Sequence, residues 1–160
     1  QRTFYADPTL EGLTVRSGEI CCIMAFNISD LKGRAMADEL FPIGDPDKIY
    51  GYHAHVYYDE ATREKAARLR QMAWNQFDVT MGRFRDKAVG PHPEPMYEIV
   101  FKAELMPVIV PWLMTHRDGL TILVHPESGK SYEDHAHWPI WLGKSLDLRL
   151  DWLKRGNRAA

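Results

Sequence analysis

From Tyr50 onward the apolar and polar positions fall into regular periods. Residues 52–58, inside "YGYHAHVYYD" (50–59), are aromatic and β-branched around two histidines and predict a strand. Residues 60–77 set Ala66, Leu69, Ala73 and Phe77 on one stripe at helical spacing, with Asp59 as the expected N-cap. "VTMGRFR" (79–85) predicts a second strand, "VGPHPEP" (89–95) a stiff turn and "MYEIVFKA" (96–103) a third strand. "ELMPVIVPWLMTH" (104–116) predicts a helix that tolerates Pro107 in its first turn and kinks at Pro111. "GLTILVH" (119–125) predicts a fourth strand. "SLDLRLDWL" (145–153) alternates apolar and charged residues, which predicts an added edge strand, with a short amphipathic helix as the alternative.

This order, β-α-β-β-α-β, is the split βαβ arrangement of an α+β, ferredoxin-like fold: an antiparallel sheet with helices on one face, followed by a C-terminal extension. The expected strand order is 4-1-3-2, with strands 1 and 3 as parallel neighbours and strand 4 antiparallel to strand 1. Residues 1–48 show no sustained period beyond a weak strand around 19–26, and "FPIGDPDKIY" (41–50) is a turn-rich linker. The chain therefore divides into an N-terminal extension, 1–48, and a domain, 49–160.

Composition narrows the class. A chain of 160 residues with 45% hydrophobic content suits one domain with a real core. A formal charge of −2 argues against a general nucleic-acid binder. No apolar run approaches the ~20 residues of a membrane span. Adjacent Cys21 and Cys22 make poor disulfide partners for each other and read as buried thiols, which fits a reducing, cytoplasmic setting.

Seven histidines carry the candidate chemistry. His53 and His55 share one face of a strand, roughly 6–7 Å apart. On the expected topology, the starts of strands 1 and 3 and the end of strand 4 meet at one end of the sheet. That gathers His53, His55, His92 and His125, and His135 and His137 can fold back over them. Neutral imidazole is a common ligand for zinc, iron and copper, and an iron site for oxygen chemistry holds the metal by three side chains. The accompanying carboxylate is Glu98, with Asp134 or Glu133 as substitutes. A single buried histidine is more often a packing or hydrogen-bonding residue, the reading preferred for His116; the coincidence of several gives the pattern its weight.

Three segments carry a family resemblance: "YHAHVYYD", "GPHPEPMYEIVF" and "WLMTHRDGLTILVHPESGKSYEDHAHWPIWLGKSLDL". In order and spacing they resemble the DOPA 4,5-dioxygenase family over about residues 50–153. The resemblance implies a ferredoxin-like fold, often dimeric, and extradiol cleavage of a catechol, such as L-DOPA, by non-haem Fe(II) and O2. It matches the family's histidines to His53, His55, His92, His125 and His135. Ser128 stands in "HPESG" where threonine is expected, and residues 1–48 have no recognised counterpart.

The expected site follows. The metal ligands come from His55, His92, His125 and Glu98, with His53 also eligible. His53 or His135 is the catalytic acid–base, because imidazole ordinarily titrates near ~6.5. Trp138 and Tyr57 contact the substrate, while Arg117 and Arg83 are weaker candidates for pairing with a carboxylate. Fe(II) is the expected cofactor, although zinc or another divalent metal can occupy such a site on purification. The expected partners are a small catechol and O2, with a homodimer and with neither nucleic acid nor membrane. Two rivals remain: a non-catalytic metal-binding dimer of the same fold, and an RNA-binding module, which the charge disfavours.

Overall fold

The structure, a computed structural model, describes residues 44–155. The strand expected near residue 19 lies outside those residues. Among the described residues there are five strands: β1 (Gly51–Tyr57), β2 (Thr80–Met81), β3 (Met96–Phe101), β4 (Thr121–Glu127) and β5 (Ile140–Leu142). They form one antiparallel sheet in the order β2-β3-β1-β4-β5. The main helices are α1 (Arg63–Gln76), between β1 and β2, and α2 (Met106–His116), between β3 and β4. The expected α+β, ferredoxin-like architecture is therefore the observed one, with β5 added beyond β4.

Period-two alternation sorts β1 into two faces. Ala54 and Val56 turn to the side covered by α1 and α2, where they meet Ala66, Leu69, Ala73, Ile109 and Leu113 in the main core. Burying each large aliphatic side chain there contributes about 1.5–3 kcal/mol. His53, His55 and Tyr57 turn to the opposite face. A smaller apolar cluster there joins Tyr57, Met96 and Leu123 to Val89, Trp141, Leu146 and Leu148.

The expected parallel pairing of strands 1 and 3 is not found. β1 and β3 are antiparallel, with His55 opposite Glu98. The crossover through α1 returns β2 parallel to β1, and the β2–β3 hairpin reverses the chain, so β3 fits between them antiparallel to both. The start of β3 therefore lies beside the end of β1, and His92 cannot approach His53 along a common sheet end. The histidines converge by sharing a face.

Several boundaries also move. The N-cap of α1 is Thr62, not Asp59. The Asp59 carboxylate instead accepts from the Thr62 backbone N–H at 2.8 Å and hydroxyl at 2.6 Å, which closes the turn before the helix. Pro107 occupies the first turn of α2 and Pro111 lies inside it, as expected. The second strand is short, and pairing resumes at Arg85, which exchanges two backbone hydrogen bonds with Met96. Residues 86–95 between them form an arm whose tip turns at Gly90, with φ +57°.

The C-terminal region differs most. An unforeseen helix, α3 (Ser131–Ala136), follows β4, and β5 takes the edge beside β4. No strand forms over residues 145–153: with the edge already filled, the alternating leucines Leu146 and Leu148 pack onto the sheet face instead. The segment ends in a short helix, α4 (Leu150–Lys154). It also fastens the arm: the Arg149 backbone N–H donates to the Pro91 carbonyl at 2.8 Å and its guanidinium to the His92 carbonyl at 3.0 Å.

Candidate metal centre

Three elements and the arm deliver histidines to the face opposite the helices. On β4, His125 stands directly across from His53. It also reaches diagonally to His55, placing the two Nε2 atoms 3.0 Å apart. The arm brings the His92 ring over His55, with centroids 4.1 Å apart. Helix α3 lays His135 on His125 at 4.0 Å, with His92 at 5.5 Å. His55, His92 and His125 are buried.

The second nitrogen of each ring decides which nitrogen can serve a metal. His125 Nδ1 donates to the Pro126 carbonyl at 2.7 Å, and His135 Nδ1 donates to the Ser131 carbonyl at 2.8 Å. His92 Nδ1 lies 2.7 Å from the Tyr57 hydroxyl. In His125 and His135, with Nδ1 donating to a carbonyl, Nε2 keeps its lone pair, the arrangement usual for a metal-ligating histidine. His55 Nδ1 is buried with no hydrogen-bond partner. Such an orphan costs about 1–3 kcal/mol, a penalty that a cation held within the cluster relieves.

Electrostatics favour the neutral, ligating form. Burial, followed by repulsion from neighbouring imidazoles, holds His55 far below the ordinary histidine range. The same two causes, in that order, keep His125 well below it. Burial, with His135 and Arg149 nearby, lowers His92 to about 3. His135 is lowered mainly by burial, against its bond to Ser131. Two sets, His53–His55–His125 and His55–His92–His135, each bring one ligand atom per residue within 4.8 Å of the others. The residues present thus fit a divalent transition metal, with His55 common to both sets.

His53 stands at the rim, with Nε2 3.0 Å from the Glu127 carboxylate and Nδ1 3.9 Å from Glu98. Its ring lies 5.3 Å from that of His125. Glu98 belongs to neither histidine set; its side chain extends past His53 over Gly82, where a β-carbon would come 2.6 Å from its Cγ. Asp134, a possible substitute, is committed elsewhere: Ser128 donates to it from its hydroxyl at 2.6 Å and its backbone N–H at 3.2 Å. Tyr57 is buried, holds His92 and stacks on Trp141 at 6.0 Å. Burial, with a smaller contribution from Glu94, raises its phenol, so the hydroxyl stays protonated.

The Trp138 ring lies near Gly44, 3.0 Å from where a β-carbon would stand. His137 packs edge-on to Tyr132 at 5.7 Å. His116 stacks on Trp112 and bonds its carbonyl at 2.8 Å, in keeping with a hydrogen-bonding role. Arg117 is held by the Leu120 carbonyl. The sequence reading missed Glu127 and Arg149. Glu127 was legible, since it lies two residues from His125 on the same strand face; Arg149 carries no local signal, because its contact to the arm spans the chain.

The family model described as the Dopa 4,5-dioxygenase family matches residues 52–152. The chain belongs to the Dopa 4,5-dioxygenase family. A "DOPA 4,5-dioxygenase" of Amanita muscaria is 31% identical over 117 residues, covering 64% of this chain and 49% of that protein. An "Uncharacterized 21.2 kDa protein" of Botryotinia fuckeliana is 32% identical over 117 residues, covering 65% of this chain and 63% of that protein. The alignments thus span about half to two thirds of these curated relatives' length. A crystal structure from Nostoc punctiforme, provisionally assigned as a dioxygenase, matches with a TM-score of 0.70 and 45% identity. That match covers 72% of this chain and 100% of the other. The histidine cluster of this Dopa 4,5-dioxygenase family chain groups ligand atoms that could hold a metal ion. Among the described residues, no helix is long and apolar enough to cross a membrane.

Proposed function

We propose that this chain is an extradiol ring-cleaving dioxygenase acting on a catechol at a histidine-held non-haem Fe(II). The observation that carries the reading is a cluster of four imidazoles, three of them buried, in which His92, His125 and His135 have Nδ1 engaged while ligand nitrogens converge around His55. His55 with His92 and His135, or with His125, would hold the metal. Bound Fe(II) supplies the centre at which catechol and O2 meet and removes the need for a protein nucleophile. Tyr57 and the carbonyls of Pro126 and Ser131 orient the imidazoles and fix their tautomers. His53 is the proton-handling group: Glu127 holds its Nε2, leaving Nδ1 to accept a phenolic proton at the rim and return it. Trp141, Leu146 and Leu148 keep water from the inner side.

A second reading, a closed zinc site without catalysis, is favoured by the fourth imidazole, since the His135 ring packs on His125 and lies within 6 Å of those of His55 and His92. Oxygen uptake separates the two. Protein loaded anaerobically with Fe(II) is mixed with L-DOPA, caffeate and protocatechuate while the visible spectrum is followed. Uptake with a new yellow chromophore, absent with Zn(II), is expected. No uptake with any catechol, despite stoichiometric iron, supports the closed site.

A further inference from the structure

The clustered histidines are held in two different ways. His53, His55 and His125 sit on β1 and β4, where a continuous ladder of paired residues fixes their backbone. His92 and His135 lie outside every strand. His92 closes a two-residue hairpin turn: Val89 and His92 exchange backbone hydrogen bonds at 3.2 and 3.0 Å around Gly90 and Pro91, as an isolated bridge with no ladder behind it. Such a tip needs outside support to hold a side chain within the roughly 0.5 Å that a metal site demands.

That support comes from the C-terminal segment. Leu146 and Leu148 pack into the same small cluster as Tyr57, whose hydroxyl meets the His92 ring. Arg149 then grips the tip twice, through its backbone N–H to the Pro91 carbonyl and its guanidinium to the His92 carbonyl. Trp152 lies against Gly90, its ring 3.7 Å from where a β-carbon would stand. At the base of the arm Arg63 pairs with a carboxylate, that of Asp86 at 3.1 Å. Among the described residues Arg149 pairs with none, and its side-chain hydrogen bond goes to the main chain of a candidate ligand. The His92 carbonyl accepts from Val89 and Arg149 together, so both of its lone pairs are used.

We propose that Arg149 is a positioning residue for metal binding: by clamping the His92 carbonyl it sets that imidazole over His55 and raises the affinity of the cluster for its ion. This rests on the histidine cluster being a metal centre. Arg149 acts only through His92, so its effect must disappear when that imidazole is absent. Lysine can restore a charged donor to the carbonyl, though not the planar fork of the guanidinium.

The test is a Zn(II) competition titration against a chromophoric chelator, with the Co(II) visible spectrum recorded in parallel. It compares wild type, Arg149→Ala, Arg149→Lys, His92→Ala and the double variant that joins Arg149→Ala to His92→Ala. Arg149→Ala is expected to weaken Zn(II) about ten-fold, Arg149→Lys to recover most of that loss, and Arg149→Ala to add nothing in the His92→Ala background. The Co(II) spectrum of Arg149→Ala should move toward that of His92→Ala, since both take the same imidazole from the ion. Wild-type affinity in Arg149→Ala overturns the proposal. Equal weakening with and without His92 overturns it as well, because the arginine then serves the fold at large. Unchanged affinity in His92→Ala also overturns it, while leaving the other histidines as the centre. If Arg149→Ala does not fold, Arg149→Gln takes its place in the same cycle with the same expectation. If wild type binds no Zn(II), the metal reading itself fails.

Discussion

His55 stands in both sets of converging nitrogens, so it carries the sharpest expectation at the scale of one residue. His55→Ala should abolish stoichiometric Fe(II) or Zn(II) retention, whereas His116→Ala, at an exposed helix end, should retain full metal by elemental analysis. Tyr57 acts through His92. Tyr57→Phe removes the hydroxyl 2.7 Å from Nδ1 and keeps the ring stacked on Trp141. A competition titration should show metal affinity about ten-fold weaker, with the circular dichroism spectrum unchanged. The buried imidazoles also set a pH dependence for the metal-free protein. The unfolded chain takes up histidine protons near ~6.5, whereas folded His92 resists them until about 3. Between those values the unfolded state binds more protons, so stability is complete above the upper value and falls as the solution is acidified. The urea midpoint of metal-free protein should therefore be lower at pH 5 than at pH 7.5, and His92→Gln should flatten that difference.

Elements were legible where a period was long and local. β1, α1, β3, α2 and β4 all appear in the sequence pattern, because each buries one face against a neighbour and must repeat its apolar positions to do so. The Asp59 cap, the length of the second strand and the C-terminal helices were not legible in the same way. Asp59 and Thr62 are both good capping residues, and only the turn geometry chooses between them. The alternating leucines of 145–153 suit an edge strand or a segment lying across a sheet; occupation of the edge by β5 selects the second. β1 also begins at a position that sequence reading did not single out. At Gly51 a β-carbon would come 2.8 Å from the Phe101 carbonyl oxygen, a backbone atom that cannot rotate away. Gly51→Ala should therefore destabilise the protein by about 1–3 kcal/mol in chemical denaturation, through forced separation of β1 and β3.

At the scale of the whole molecule, β1, β4, the arm and α3 contribute histidines to one cluster, so a metal held there would couple binding to folding. Free metal at about 100 times its Kd should raise stability by about 2.7 kcal/mol, seen as a higher Tm that a chelator reverses. If metal leaves the Tm unmoved, the cluster is not a metal centre. The sequence by itself determined the order of elements from β1 to β4, the α+β class and the candidate imidazoles, because apolar period and imidazole chemistry are local properties. The family resemblance was legible too, in the motifs around His53, His92 and His125. Only the tertiary structure decided that β1 and β3 run antiparallel, that the histidines meet on a face, that Glu98 and Glu127 flank His53, and that Arg149 fastens the arm. Those relations join residues far apart in the chain, and their geometry follows from the direction of each strand and the hand of each crossover, which no window along the sequence contains.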